Sequence, residues 1–285
     1  MKMRSHFLLM EGSVMKGINS LKIFYMAVWR NFLTLTRYKV NFLFSIVTSA
    51  LWGVGMLLFS LAFDSLMLER TVGTTNYVAF IIFGISFQCW QGTALWGASS
   101  MLQGELGSGQ IDYTFTCPFS RYQYIVSNVA ALAVQDSLFF LPMFCIGLWL
   151  ANTTLTIQGF LLGLASTFLS VAALVQLGVI FAALTLRYRQ INAIFSFFNF
   201  IIQMLSGMFI PMQILPIPLQ IIGFSIPVTF GMDLLRHYIM GTFTILSPIY
   251  EWVVLIAQLA LLSMIAKFTV SYLEDKAKEE GLHYI

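Results

Sequence analysis

The stretch "GSGQIDYTFTCPFSR", Gly107 to Arg121, lies between two long apolar runs, Tyr77–Leu102 and Tyr124–Leu150. It carries two glycines, one acid, one proline and a closing arginine, so the chain leaves an apolar environment for about fifteen residues and then re-enters it. The rest of the sequence says what that environment is. Of 285 residues, 59% are hydrophobic, 15% aromatic and only 9% charged, and the mean hydropathy is +0.84. Soluble domains carry roughly 25% charged residues. A surface this poor in charge needs lipid as its solvent.

Six runs have the ~20 apolar residues that a spanning helix needs: Val40–Phe63, Tyr77–Leu102, Tyr124–Leu150, Gln158–Leu186, Ile191–Ile210 and Ile249–Thr269. The apolar segment from Pro211 to Ser247 is broken by Pro211, Pro216, Pro218 and Pro227, with Pro248 adjoining. Proline removes a backbone donor and interrupts helices, so short helices and loops are expected there. Basic residues collect on the cytoplasmic side of membrane proteins. With the N-terminus inside, thirteen of the fifteen Lys and Arg residues fall inside, and only Arg70 and Arg236 fall outside. The expected fold is an all-α integral membrane protein with six transmembrane helices, N-in and C-in.

The expected organisation is a single domain over 1–285: a tail at 1–17, an interface helix at 18–39, a six-span bundle at 40–269 and a cytoplasmic tail at 270–285. In the interface helix Ile18, Leu21, Phe24, Tyr25, Val28, Phe32 and Leu35 recur at helical spacing. Asn19, Lys22, Arg30, Asn31 and Arg37 favour other faces, as suits a helix lying in the membrane interface. Cys89, Cys117 and Cys145 lack metal-ligand spacing and read as small buried hydrophobes. No cleavable signal is evident at the N-terminus. Asn152-Thr153-Thr154 matches a glycosylation acceptor in a very short outer loop.

Several chemistries are excluded. None of the seven lysines follows a glycine, so no phosphate-binding loop is present. His6, His237 and His283 make no His-Glu-x-x-His metal site, and no Gly-x-Ser-x-Gly elbow occurs. Acids inside a membrane are functional by default, and Asp136 falls within the third run. Its expected role is either a contact on the translocation path or a helix-packing contact. Glu251, about two residues into the last run, is expected at the interface.

Read physically, Gly104, Gly107 and Gly109 give the chain freedom to leave the membrane. "QIDYTFT" has room for about two surface helical turns, Pro118 ends them, and "FSRYQY" re-enters with an arginine and interfacial aromatics. This segment resembles the cytoplasmic signature of type-2 ABC exporter permeases, which show an acid, then Gly-Thr-Leu-Glu, then Pro-x-Ser-Arg. Glu105, Gly109, Ile111, Asp112, Pro118, Ser120 and Arg121 match it, whereas Gln110 replaces threonine and Asp112 is shorter than glutamate. A second resemblance covers Ser206 to Gly241, "SGMFIPMQILPIPLQIIGFSIPVTFGMDLLRHYIMG". Gly207, Pro211, Leu215, Pro216, Leu219, Pro227, Thr229, Asp233, Arg236 and Gly241 match the family's segment before its last span.

The resemblance implies a permease that pairs with a second permease, as homodimer or related heterodimer, in the cell membrane. It implies a cytoplasmic ABC ATPase on another chain, which holds the ATP and Mg2+. The chain itself is then no enzyme and binds no cofactor or metal, and nucleic acid is not among its partners. Glu105, Gly109, Asp112, Pro118 and Arg121 are expected to form a coupling helix received by the ATPase. Gly207, Pro211, Pro216, Pro227, Asp233 and Arg236 are expected in short re-entrant helices that close the exit. Asp233 and Arg236, three apart, read equally as a surface pair or as part of a semi-buried gate. Asp136, Phe195 and Phe198 are candidates for the path. The expected cargo is an amphipathic small molecule or lipid, with polysaccharide, glycolipid or peptide as the alternative. A secondary carrier working without an ATPase is disfavoured by the sparse intramembrane charge.

Overall fold

A computed structural model describes residues 20–60, 65–117, 119–152, 156–188 and 192–280. The elements are α1 (Ser20–Arg37), α2 (Lys39–Ser60), α3 (Ser65–Val72), α4 (Tyr77–Gly92), a π-helical turn (Thr93–Gly97) and α5 (Ala98–Ser108). There follow α6 (Gln110–Thr116), α7 (Arg121–Ala151), α8 (Ile157–Arg187), α9 (Asn192–Leu205) and a 3-10 turn (Met212–Ile214). The chain ends with α10 (Ile217–Phe224), α11 (Pro227–Met240) and α12 (Pro248–Glu280). The described residues contain no strand, as lipid demands of a chain that must pair its own backbone groups.

Capping explains where the long helices begin. Asn76 accepts a hydrogen bond from the Ala79 amide (3.0 Å) and donates to the Leu150 carbonyl (2.7 Å), so it starts α4 and ties it to the end of α7. Thr156 accepts from the Gly159 amide at the start of α8. Among the described residues, four helices are long and apolar enough to cross a membrane: Tyr77–Ser108, Arg121–Ala151, Ile157–Thr185 and Pro248–Leu273. The pair α10 and α11, bent by 93°, makes a fifth if counted as one span. The apolar stretches Phe42–Gly55 and Ala193–Leu205 are shorter.

α4 packs along α7, and α8 packs against both α11 and α12. Helices in lipid gain little from hydrophobicity and associate through close packing and hydrogen bonds. Accordingly Ser166 and Ser170 of α8 donate to the Gly231 and Pro227 carbonyls of α11 (3.2 and 3.1 Å). Between α4 and α7, Trp90 stacks on Phe140 at 4.2 Å and its indole N–H donates to the Ala133 carbonyl. α1 lies against α7. It buries Ile23, Ala27 and Asn31 while exposing Leu21, Tyr25, Met26, Trp29 and Leu33; of the apolar face read from the sequence, Phe24, Val28, Phe32 and Leu35 are half-buried and Leu21 and Tyr25 exposed.

Other expectations are corrected. Gly104 and Gly107 are ordinary residues of α5; only Gly109, at φ 70°, makes the turn. α9 has 14 residues, about 21 Å at 1.5 Å per residue, because the chain leaves the helix before Gly207, whose φ is 80°. Cys117 and Cys145 are exposed and Cys89 half-buried, not core. Asn152 caps α7 in the left-handed region (φ 46°), and the two threonines after it lie outside the described residues. So do residues 1–19, including the expected tail and Ile18, and Pro118.

Candidate functional site

The helix from Tyr77 through the π turn to Ser108 organises three places: one at each end and one midway. At its C-terminal end, Gly109 reverses the chain and α6 leaves as a seven-residue helix. Ile111 of α6 is buried and Tyr113 is 78% exposed, so one face is anchored and the other is open. Asp112 lies on this helix, with its side chain outside the described set. Glu105 is 6% exposed and accepts a hydrogen bond from the Tyr124 hydroxyl of α7 (2.5 Å). Its second carboxyl oxygen is buried with no partner among the described residues. One turn along α7, Asn128 donates to the Tyr124 carbonyl (2.9 Å) and accepts from Arg30 of α1 (2.7 Å). Glu105, Tyr124, Asn128 and Arg30 thus link three elements. Arg121 opens α7 and is half-buried. Sequence reading missed Arg30, Tyr124 and Asn128 as a group, because nothing in linear order places α1 against α7.

At the N-terminal end of the same helix sits Arg236 of α11, 2% exposed. Its guanidinium lies 3.5 Å over the Phe80 ring. It donates to the carbonyls of Gly207 (2.8 Å), Phe80 (2.7 Å) and Met208 (2.9 Å). The last two bonds need Gly84: a Cβ there would meet the Met208 carbonyl and stand 3.0 Å from the guanidinium. Asp233, also buried, accepts from the Ile245 amide (2.9 Å), and Glu251 accepts from the Leu246 amide (2.9 Å). Tyr77 donates to the Phe209 carbonyl (2.7 Å). Gly207, Pro211, Asp233 and Arg236 come together here, while Pro227 begins α11 against Ser170 of α8 and Pro216 is exposed at the head of α10. Burial overturns the surface-pair reading of Asp233 and Arg236, and Glu251, in the first turn of α12, is 0% exposed. The irregular backbone after α9 presents carbonyls with no helical partner, and a buried arginine fork satisfies them.

Midway lie two adjoining cavities of about 650 and 460 Å³. Both are lined by Phe42 of α2, Cys89 and Gly92 of α4, and Phe139 of α7. The larger adds Asn199 and Gln203 of α9; the smaller adds Thr34 and Tyr38 at the α1–α2 junction, and Asp136. Thr93, the first residue of the π turn, donates a hydrogen bond to Asp136. Phe195 and Phe198 do not line either cavity. Phe195 is buried against Trp96 and Phe181, and Phe198 is exposed, though its ring also packs edge-on against Phe181. Among the described residues no group of His, Cys, Asp and Glu is arranged to hold a metal ion.

No curated protein matches the sequence. The sequence profile of the ABC-2 family transporter proteins matches residues 59–267, most of the chain, including the whole Tyr77–Ser108 helix, while Arg30, Thr34, Tyr38 and Phe42 lie before it. With its several apolar helices, this multi-pass membrane protein therefore belongs to the ABC-2 transporter family, as the membrane-embedded permease component of an ABC transporter.

Proposed function

We propose that the chain is the permease subunit of an ATP-driven exporter, moving an amphipathic small molecule or lipid out of the cell. In this reading it crosses the cell membrane six times, N-in and C-in, with α2 and α9 joining the four long helices. It pairs with a second permease, and each permease is served by a cytoplasmic ATPase chain that carries the ATP and Mg2+. ATP favours one of two arrangements of the bundle. The ATPase receives α6 with Glu105, Gly109, Asp112, Pro118 and Arg121, and α10–α11 with Gly207, Pro211, Pro216, Pro227, Asp233 and Arg236 close the outer exit. Phe198 faces lipid or the second permease.

The observation that carries this reading is the hydrogen-bonded link Glu105–Tyr124–Asn128–Arg30. A push on α6 reaches α5 across the turn at Gly109, and this link passes it to α7 and α1 without an intervening loop. The test is affinity purification of the chain from its native membranes, followed by an ATPase assay. The reading predicts recovery of a subunit bearing a phosphate-binding loop, and ATP hydrolysis that responds to amphipathic cargo. A chain that purifies alone and transports without ATP contradicts it and restores the secondary carrier.

A further inference from the structure

Asp136 is the central residue of the 31-residue helix α7, far from either helix end. Among the described residues its hydrogen-bond donor is Thr93, a neutral hydroxyl. No lysine, arginine or histidine lines either cavity beside it. A carboxylate in such surroundings lacks the counter-charge that buried acids ordinarily have. The contrast inside this molecule is direct: Asp233 sits three residues from Arg236 on one helix, whereas Asp136 faces open space.

The space has two characters. Around Asp136 it is the more polar, with Thr34, Tyr38 and Gln135 beside Leu35 and Phe139; beyond Gly92 it becomes largely apolar, walled by Ile85, Leu138 and Met143. A π-helical turn, a form concentrated at functional sites, places the Thr93 donor against the acid. A ligand matching these features has one positive charge at one end and an apolar body of drug size.

We propose that this cleft between α2, α4 and α7 is a binding site for a monovalent amphipathic organic cation, with its charge on Asp136 and its apolar body in the larger cavity. The inference rests on the permease reading and narrows its cargo class. Gly92 marks the junction of the two chambers, and a Cβ added there meets nothing within 4 Å. A side chain at that position therefore enters the cleft without disturbing the helix.

The test is equilibrium binding of radiolabelled tetraphenylphosphonium to the purified full-length chain in detergent, with tetraphenylborate, its counterpart of like shape and opposite charge, as competitor. Wild type is expected to bind the phosphonium saturably and to prefer it to the borate. Asp136→Asn is expected to weaken phosphonium binding about tenfold or more, as for a buried charge pair that loses one partner. Asp136→Glu retains it, and Gly92→Met weakens it with the acid intact. Equal binding by Asp136→Asn and wild type overturns the proposal. So does equal affinity for the two ions, or no saturable binding by wild type, as when a second copy of the chain fills the cleft. If Asp136→Asn does not fold, the wild-type ion preference and Gly92→Met still decide. Recovery of an ATPase subunit in the same preparations reads the permease proposal separately, so cation binding without an ATPase, or the reverse, shows which of the two has failed.

Discussion

The two ends of the helix running from Tyr77 to Ser108 are held in opposite ways. At the Tyr77 end, Arg236 places both terminal nitrogens of its fork on backbone carbonyls, three bonds and a ring contact from one side chain. At the Ser108 end, Glu105 is held by a single hydroxyl, and the link onward to α1 passes through side chains. Backbone acceptors are fixed by the fold, whereas side-chain pairs exchange partners by rotamer changes. In the proposed exporter the first end stays closed while the rest moves, and the second is moved. The difference teaches that burial of charge serves two ends in one molecule: a clamp of several bonds to fixed backbone, and a joint of one bond to a side chain.

Breaking the clamp has the largest expected effect. Arg236→Leu removes the donor from the Gly207 and Met208 carbonyls in a buried site and is expected to cost about 1–3 kcal/mol for each, seen as loss of folded protein or a lower Tm in detergent. Arg236→Lys recovers part of this, since one ammonium cannot reproduce the planar fork. Next comes Gly84→Val, whose added atoms meet the Met208 carbonyl and the guanidinium. Overpacking of this kind costs about 1–3 kcal/mol, and the same thermal measurement checks it.

The joint gives smaller stability effects and larger functional ones. Tyr124→Phe strands the buried Glu105 carboxyl and is expected to lower stability by about 1–3 kcal/mol while reducing transport per ATP hydrolysed. Arg30→Ala, at a part-buried bond, is expected to cost about 0.5–1.5 kcal/mol and to lower coupling in the same direction. Equal loss of stability from Arg236→Leu and Tyr124→Phe, with coupling untouched by the second, erases the distinction between clamp and joint.

The parts of this architecture legible in sequence were those written in one dimension. Apolar runs gave the long helices because lipid forces each span to satisfy its own backbone, and the prolines at 211–227 marked where the helices shorten. The glycine-to-arginine stretch marked α6, whose length followed from the seven residues between Gly109 and Cys117. What stayed hidden depends on tertiary contact. Glu251 and Arg236 look like residues for water or headgroups, yet both are buried: carbonyls distant in sequence converge on Arg236, and the loop just before α12 folds its Leu246 amide onto Glu251. Gly84 is one glycine among twenty in sequence and becomes necessary only when Met208 arrives beside it. The cleft at Asp136 needs α2, α4 and α7 together. Periodicity gave Asp136 its depth in the third run but not the empty space before it.

The most direct test of the central claim, that α6 is the element an ATPase moves, is crosslinking from its open face. Tyr113→Cys, in a chain whose native cysteines are replaced by serine, offers a thiol at an exposed position of α6. The account predicts a crosslink to the ATPase subunit whose yield changes between nucleotide-free and ATP-bound complexes. Equal labelling of position 113 by a water-soluble reagent with and without the ATPase, and no crosslink in either state, contradicts it.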